Sequence, residues 1–163
     1  MLERMPLLSI APEPFDSDDA RRLVAALDAH LSERYPPAQR FGPNLRPEQI
    51  ADGRGIFIVA RFDGVAVGCG ALRMLGDGRA EVKRMYVEPR RRGQGIAAAV
   101  LERLEATARE LGARRLVLET GDKQAEAIAL YRRHGFTICD CWGEYAASPT
   151  SVCMEKHLAA GIE

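Results

Sequence analysis

Between Val87 and Ala97 an apolar strand run gives way to Pro89, three consecutive arginines, Gly93 and Gly95, and then to a helical repeat. Ala97, Leu101, Leu104, Ala108 and Leu111 follow at steps of 4, 3, 4 and 3, one face of a helix closed by Gly112. A strand that feeds through glycines into a long amphipathic helix requires a sheet with a helix covering it. The same junction carries chemistry. Backbone N–H groups converge unpaired at a helix N-terminus, and missing Cβ atoms let an anion come close, so the segment is a candidate phosphate cradle. A glycine-softened turn with solvated arginines remains open beside that reading.

The rest of the chain supplies the sheet. Gly55 to Arg61 and Val65 to Arg73 are apolar runs joined by Asp63-Gly64, a strong signal for a tight hairpin. The turn Gly76-Asp77-Gly78 leads into a third strand, Arg79 to Val87. Upstream, the apolar run Leu7 to Ile10 precedes a helix expected from about 17 to 33, which opens on capping residues and stops at Tyr35-Pro36-Pro37. The stretch from there to Gly55 is loop-rich, with room for a short helix from Pro47 to Ala51. Downstream come a strand from Arg114 to Thr120, a helix from Gln124 to His134 closed by Gly135, and strands from Phe136 to Cys141 and Ser151 to Lys156. The order is β-α-α-β-β-β-α-β-α-β-β, an antiparallel meander followed by a βαβ unit. It predicts an α/β (α+β) fold with a mixed, mostly antiparallel sheet and helices on both faces. The 163 residues are expected to form one domain, with neither linker nor repeat.

Composition narrows the function. Lys+Arg and Asp+Glu both total 23, so no net field draws the chain to nucleic acid or anionic membranes. Only Lys83, Lys123 and Lys156 are lysines, and an arginine bias of that kind tempers any meaning given to arginine clusters. No apolar stretch reaches the ~20 residues of a membrane helix, and the N-terminus lacks a signal-peptide pattern. A cytoplasmic, reducing location is therefore expected, with Cys69, Cys139, Cys141 and Cys153 as buried thiols. Cys139-x-Cys141 has no matching second pair, so no metal site is expected.

Two nucleotide motifs compete for the glycine segment. The Gly-Lys-Ser/Thr of a Walker loop is missing. Gly93-x-Gly95-x-x-Ala98 formally matches the dinucleotide fingerprint, with Glu119 ending a later strand, but Glu88 to Arg92 separate the first glycine from its strand. Too little chain follows Glu119 for the remaining parallel strands of that fold.

A third reading rests on three segments in order. Arg92-Gly93-Gln94-Gly95-Ile96-Ala97 fits R/Q-x-x-G-x-G/A, Ala129 to Phe136 carries the L-Y-x-x-x-G-F part of an A-x-L-Y-x-x-x-G-F ending, and Ala80 to Val87 precedes them as a strand. Together they resemble the GCN5-related N-acetyltransferases, the GNAT superfamily. The resemblance implies about six or seven strands flanked by about four helices. It also implies an enzyme that moves an acetyl group from acetyl-CoA directly to a primary amine of a small molecule or peptide, without a metal. Homodimers are common in that family, so pairing is expected.

Residue by residue, the resemblance places the CoA pyrophosphate on the backbone of Arg92, Gly93, Gln94, Gly95, Ile96, Ala97 and Ala98. Main-chain groups of Met85 and Val87 would pair with the pantetheine arm, and the N–H near Met85 would polarise the thioester carbonyl. Tyr131 would protonate the departing thiolate; core packing on the face it shares with Gln124, Ala127 and Ile128 is the alternative. Gln124 stands where relatives often carry a CoA-contacting asparagine. Glu81 sits where some members have a basic glutamate, although period-two geometry puts it on one face with Lys83, Met85 and Val87, and a neighbouring ammonium weakens a base. Glu119 and ordered water are the alternatives. His134 reads as a helix-capping residue or a border of the site, and Trp142 and Tyr145 as acceptor-pocket walls or a packing cluster. A catalytically silent acyl-CoA sensor of the same fold, and more remotely a dinucleotide-dependent oxidoreductase, are the competing functions.

Overall fold

The computed structural model describes residues 7–37 and 45–159. Its seven strands are β1 (Leu8–Pro12), β2 (Gly55–Phe62), β3 (Val65–Met74), β4 (Arg79–Val87), β5 (Arg115–Gly121), β6 (Thr137–Cys139) and β7 (Ser151–His157). They form one sheet in the order β1-β2-β3-β4-β5-β7-β6. Only the β4–β5 neighbours run parallel; every other pair is antiparallel. Asp63 and Gly64 take φ of 50° and 83°, the left-handed pair that a two-residue hairpin needs, and Phe62 faces Val65 across it.

Three α-helices cover the sheet: α1 (Asp18–Arg34), α2 (Ile96–Glu110) and α3 (Ala125–Arg133). Ser17 caps α1, its hydroxyl accepting from the Ala20 N–H at 3.1 Å. Ala20 and Leu23 of α1 close one face over Phe57, Val59, Cys69 and Ala71. Val100, Leu101 and Leu104 of α2 close the other over Ile58, Leu72, Val82, Leu116 and Leu118, a cluster that Tyr131 and Phe136 join.

The structure corrects three expectations. The short helix from Pro47 to Ala51 is a single 3-10 turn, Pro47–Gln49, so three α-helices stand where about four were expected. Ile50, at φ −117°, already leaves the helical region, and Asp52 and Gly53 follow at positive φ, so the turn does not propagate. The strand from Phe136 to Cys141 shortens to Thr137–Cys139. Finally, Cys141 and Cys153 are not thiols: they form a disulfide with Cα atoms 5.2 Å apart, while Cys69 and Cys139 are free. Cys141 lies past the end of β6, where the chain is no longer held in register and can reach across to β7. Part of the loop-rich stretch after Pro37, including Pro43, lies outside the described residues.

Candidate active site

The parallel pairing of β4 with β5 stops after Val82 and Leu118, and the two strands then diverge. The cause lies in β4. Ala71 of β3 faces Lys83 and Cys69 faces Tyr86, so Arg84 and Met85 together oppose the single residue Gly70. This is a β-bulge, with Arg84 at φ 56°; bulges bend a strand and raise its twist. A Cβ at Gly70 would come within 2.7 Å of Val100 Cγ1 and 2.9 Å of Met85 Sδ, so the missing side chain lets the bulge settle onto α2. Period-two alternation therefore fails here, against expectation. Glu81 and Lys83 face the α1 side with Tyr86, whereas Met85 and Val87 pack into the α2 cluster.

The divergence opens a cleft of about 830 Å³, lined by the bulged half of β4, Glu119 to Gly121 of β5, the first turn of α2, α3 and the C-terminal part of α1. At its α2 end, Gly93 and Gly95 have φ of 78° and 81°, and a Cβ added to either meets nothing within 4 Å. No side chain caps α2. The N–H groups of Ile96, Ala97 and Ala98 thus lack a capping acceptor, with the positive end of the helix dipole behind them. Arg92, Gly93, Gly95, Ile96, Ala97 and Ala98 all line the cleft; the Gln94 side chain is exposed and does not. The Arg92 Nε–H donates to the Val87 carbonyl at 3.0 Å, occupying part of the main-chain edge expected to bind pantetheine. Met85 lines the cleft beside it.

The middle of the cleft holds buried polar groups. Tyr145 donates its O–H to Glu81 Oε2 at 3.0 Å, and Lys83 Nζ donates to the Tyr145 oxygen at 3.0 Å. The ammonium lies 3.6 Å from Glu81 Oε2, so the expected pairing of Glu81 with Lys83 is present. Burial holds the Lys83 ammonium below the usual lysine range, and burial together with Glu81 and Glu119 pushes the Tyr145 phenol up. Glu119 is half-buried and carries a hydrogen bond from Ser151; burial raises its carboxyl to about 7.

Tyr131 on α3 is 6% exposed, packs edge-to-face on Phe136 at 5.8 Å and lines the cleft, so it is both a core residue and a cleft residue. Burial pushes its phenol well above the ordinary tyrosine value. Gln124, the residue before α3, lines the cleft and accepts from Arg34 Nη1 at 3.4 Å. His134 caps the C-terminal end of α3 and does not line the cleft. Trp142 packs edge-to-face against Tyr145 at 5.5 Å with the Arg79 guanidinium 5.8 Å from its ring, so the packing reading holds for Trp142 while Tyr145 enters the cleft.

Sequence reasoning missed Tyr35. It is a cleft wall whose hydroxyl accepts from the Lys123 N–H at 2.7 Å. A Cβ at Gly121 would collide with its phenol oxygen, so a glycine at the end of β5 makes the place for that ring. A tyrosine directly before a Pro-Pro stop was the only signal. Among the described residues, no three His, Cys, Asp or Glu side chains are grouped to hold a metal ion.

Comparison with known proteins adds to this geometry. The Acetyltransferase (GNAT) family model matches residues 22–136. An IAA acetyltransferase of Azospirillum brasilense is 42% identical over 94% of this chain and 100% of its own length. An uncharacterized N-acetyltransferase of Bacillus subtilis, YsnE, is 37% identical over 88% of this chain and 97% of its own. A solved structure from Klebsiella pneumoniae, assigned as an acyl-CoA N-acyltransferase, superposes with a TM-score of 0.79 at 36% identity, covering 94% of this chain and 99% of that one.

Proposed function

The chain belongs to the acetyltransferase (GNAT) family and is an acetyl-CoA-dependent N-acetyltransferase, and we propose that it transfers acetyl directly to a primary amine within the β4–β5 cleft. The observation that carries this reading is the continuous path from an uncapped, glycine-flanked helix N-terminus, along a strand edge without a β5 partner, to a buried tyrosine.

Acetyl-CoA supplies an activated acetyl carbonyl and a thiolate leaving group. The residues do the rest. The backbone of Arg92 through Ala98 binds the pyrophosphate, since N–H groups at a helix start favour that charge. The Met85 and Val87 main chain orients the pantetheine arm as an added strand, with the Arg92 guanidinium sharing the Val87 carbonyl. An N–H at the bulge near Met85 stabilises charge on the carbonyl oxygen. Gln124 borders the arm on the α3 side. Tyr131 gives its proton to the thiolate; burial keeps the phenol protonated at neutral pH, the form an acid requires.

We take the whole chain as one catalytic domain. Its location is read as cytoplasmic. It is further read as a homodimer, for which Ile138, 60% exposed on the edge strand β6, offers apolar contact surface.

Incubation with acetyl-CoA and a panel of primary amines, small molecules and peptides, is expected to release CoA thiol only with an amine present and to leave that amine one acetyl group heavier. Tight acetyl-CoA binding with no transfer to any amine would replace the enzyme by an acyl-CoA sensor.

A further inference from the structure

Three carboxylates line the cleft: Glu126 of α3 is exposed, while Glu81 and Glu119 are withdrawn from solvent and differ in their surroundings. The Glu81 side chain is 4% exposed, and its Oε2 accepts from Tyr145 and pairs with Lys83. Delivering a proton there would neutralise one partner of a buried ion pair and leave an ammonium facing a neutral acid, which is costly inside a protein. Glu119 is placed otherwise. It follows Leu118, the last residue of β5 paired with β4, and so stands where the strands begin to part. It is half-buried rather than sealed. Ser151 fills one of the roughly four acceptor positions of its carboxylate. α3 starts four residues beyond the end of that strand, which brings Tyr131 to the same cleft.

We propose that Glu119, and not Glu81, takes the proton from the attacking amine, while Glu81 is a positioning residue that holds Tyr145 and Lys83 as a wall of the acceptor chamber. This rests on the acetyltransferase reading above and names its missing base. As nitrogen bonds to the acetyl carbon and the carbon–sulfur bond breaks, the proton shed by nitrogen goes to Glu119 and Tyr131 protonates the thiolate. The proton on Glu119 passes to water, and the tyrosinate regains one from water, so the pair is restored with no net change.

The groups facing Glu119 are Lys83 and Glu81 from β4, Tyr145 from the loop before β7, Ser151 from β7, Tyr35 from the end of α1 and Tyr131 from α3. Lys83 and Ser151 favour its charged form, Glu81 and burial oppose it, and burial prevails, leaving the carboxyl at about 7. A raised carboxyl loses its basic form as pH falls through that value, so the loss of rate belongs on the acid side.

The test is the pH dependence of kcat/KM for wild type, Glu119→Gln and Glu81→Gln with the best amine of the panel. Protonation of the amine itself contributes one unit of slope throughout. In wild type a second unit is expected below pH of about 7. Glu119→Gln should be ~10²-fold slower above that pH and should lose the second unit. Glu81→Gln should raise the amine's KM and keep it. Retention of the second unit in Glu119→Gln, or its loss in Glu81→Gln, overturns the proposal. A carboxyl ¹³C titration of the wild type, assigned by the signal missing in Glu119→Gln, needs no turnover. A midpoint near 7 supports the proposal, and one in the ordinary carboxylate range overturns it. Wild type that binds acetyl-CoA and acetylates nothing would instead refute the acetyltransferase reading itself.

Discussion

Tyr131→Phe is expected to lower kcat by ~10²–10⁴-fold, the range that a positioned general acid contributes, with acetyl-CoA affinity unchanged. The substitution removes one oxygen and keeps the ring. The edge-to-face contact with Phe136 therefore survives, and so does the ring's place in the core cluster. Stability should move little, which separates chemistry from packing at a residue that serves both. Steady-state kinetics beside calorimetric titration of acetyl-CoA make the measurement. Unaltered turnover would remove Tyr131 from the mechanism, and a loss of folding would assign it to the core alone.

The second large effect is structural. Leu104 is fully buried on α2, and its Cδ1 would lie 3.0 Å from a Cβ placed at Gly70. It therefore packs directly on the strand opposite the bulge. Leu104→Ala is expected to cost ~2–5 kcal/mol, from lost transfer energy and the cavity left behind. At roughly 2–4 °C per kcal/mol for a chain of this size, Tm should fall by about 4–20 °C in scanning calorimetry. Because the same helix presents its first turn to the cleft, acetyl-CoA affinity should weaken in parallel. A change below about 1 kcal/mol would mean that α2 does not seat on the bulge as described.

The parts of the fold legible in the sequence were those specified by neighbours along the chain. Asp63-Gly64 adopts the positive φ values that its residue types allow, and the 4-3-4-3 spacing of α2 places Leu101, Leu104 and Ala108 in the core. Gly93 and Gly95 stand open at the head of that helix. The bulge was not legible, because it depends on Gly70, a residue on another strand that tolerates two residues opposite one. Without it, Met85 and Val87 fell on the wrong face. The same blindness to cross-strand partners hid the link from Cys141 to Cys153, and the ring of Tyr35 that fills the place of a Gly121 side chain. Tyr145 was read from the sequence either as an acceptor-pocket wall or as part of a packing cluster. Its hydrogen bond to Glu81 spans 64 residues and could be seen only once the sheet was assembled.

Acyl-CoA occupancy of the β4–β5 cleft is tested most directly by thermal unfolding with acetyl-CoA, desulfo-CoA and NAD supplied separately. At about 100 times its dissociation constant, a ligand of the native state adds ~2.7 kcal/mol, which corresponds to some 5–10 °C for this size of chain. Both CoA species are expected to stabilise by that amount and NAD not at all. Stabilisation by NAD alone would contradict the account and return the glycine segment to the dinucleotide fingerprint.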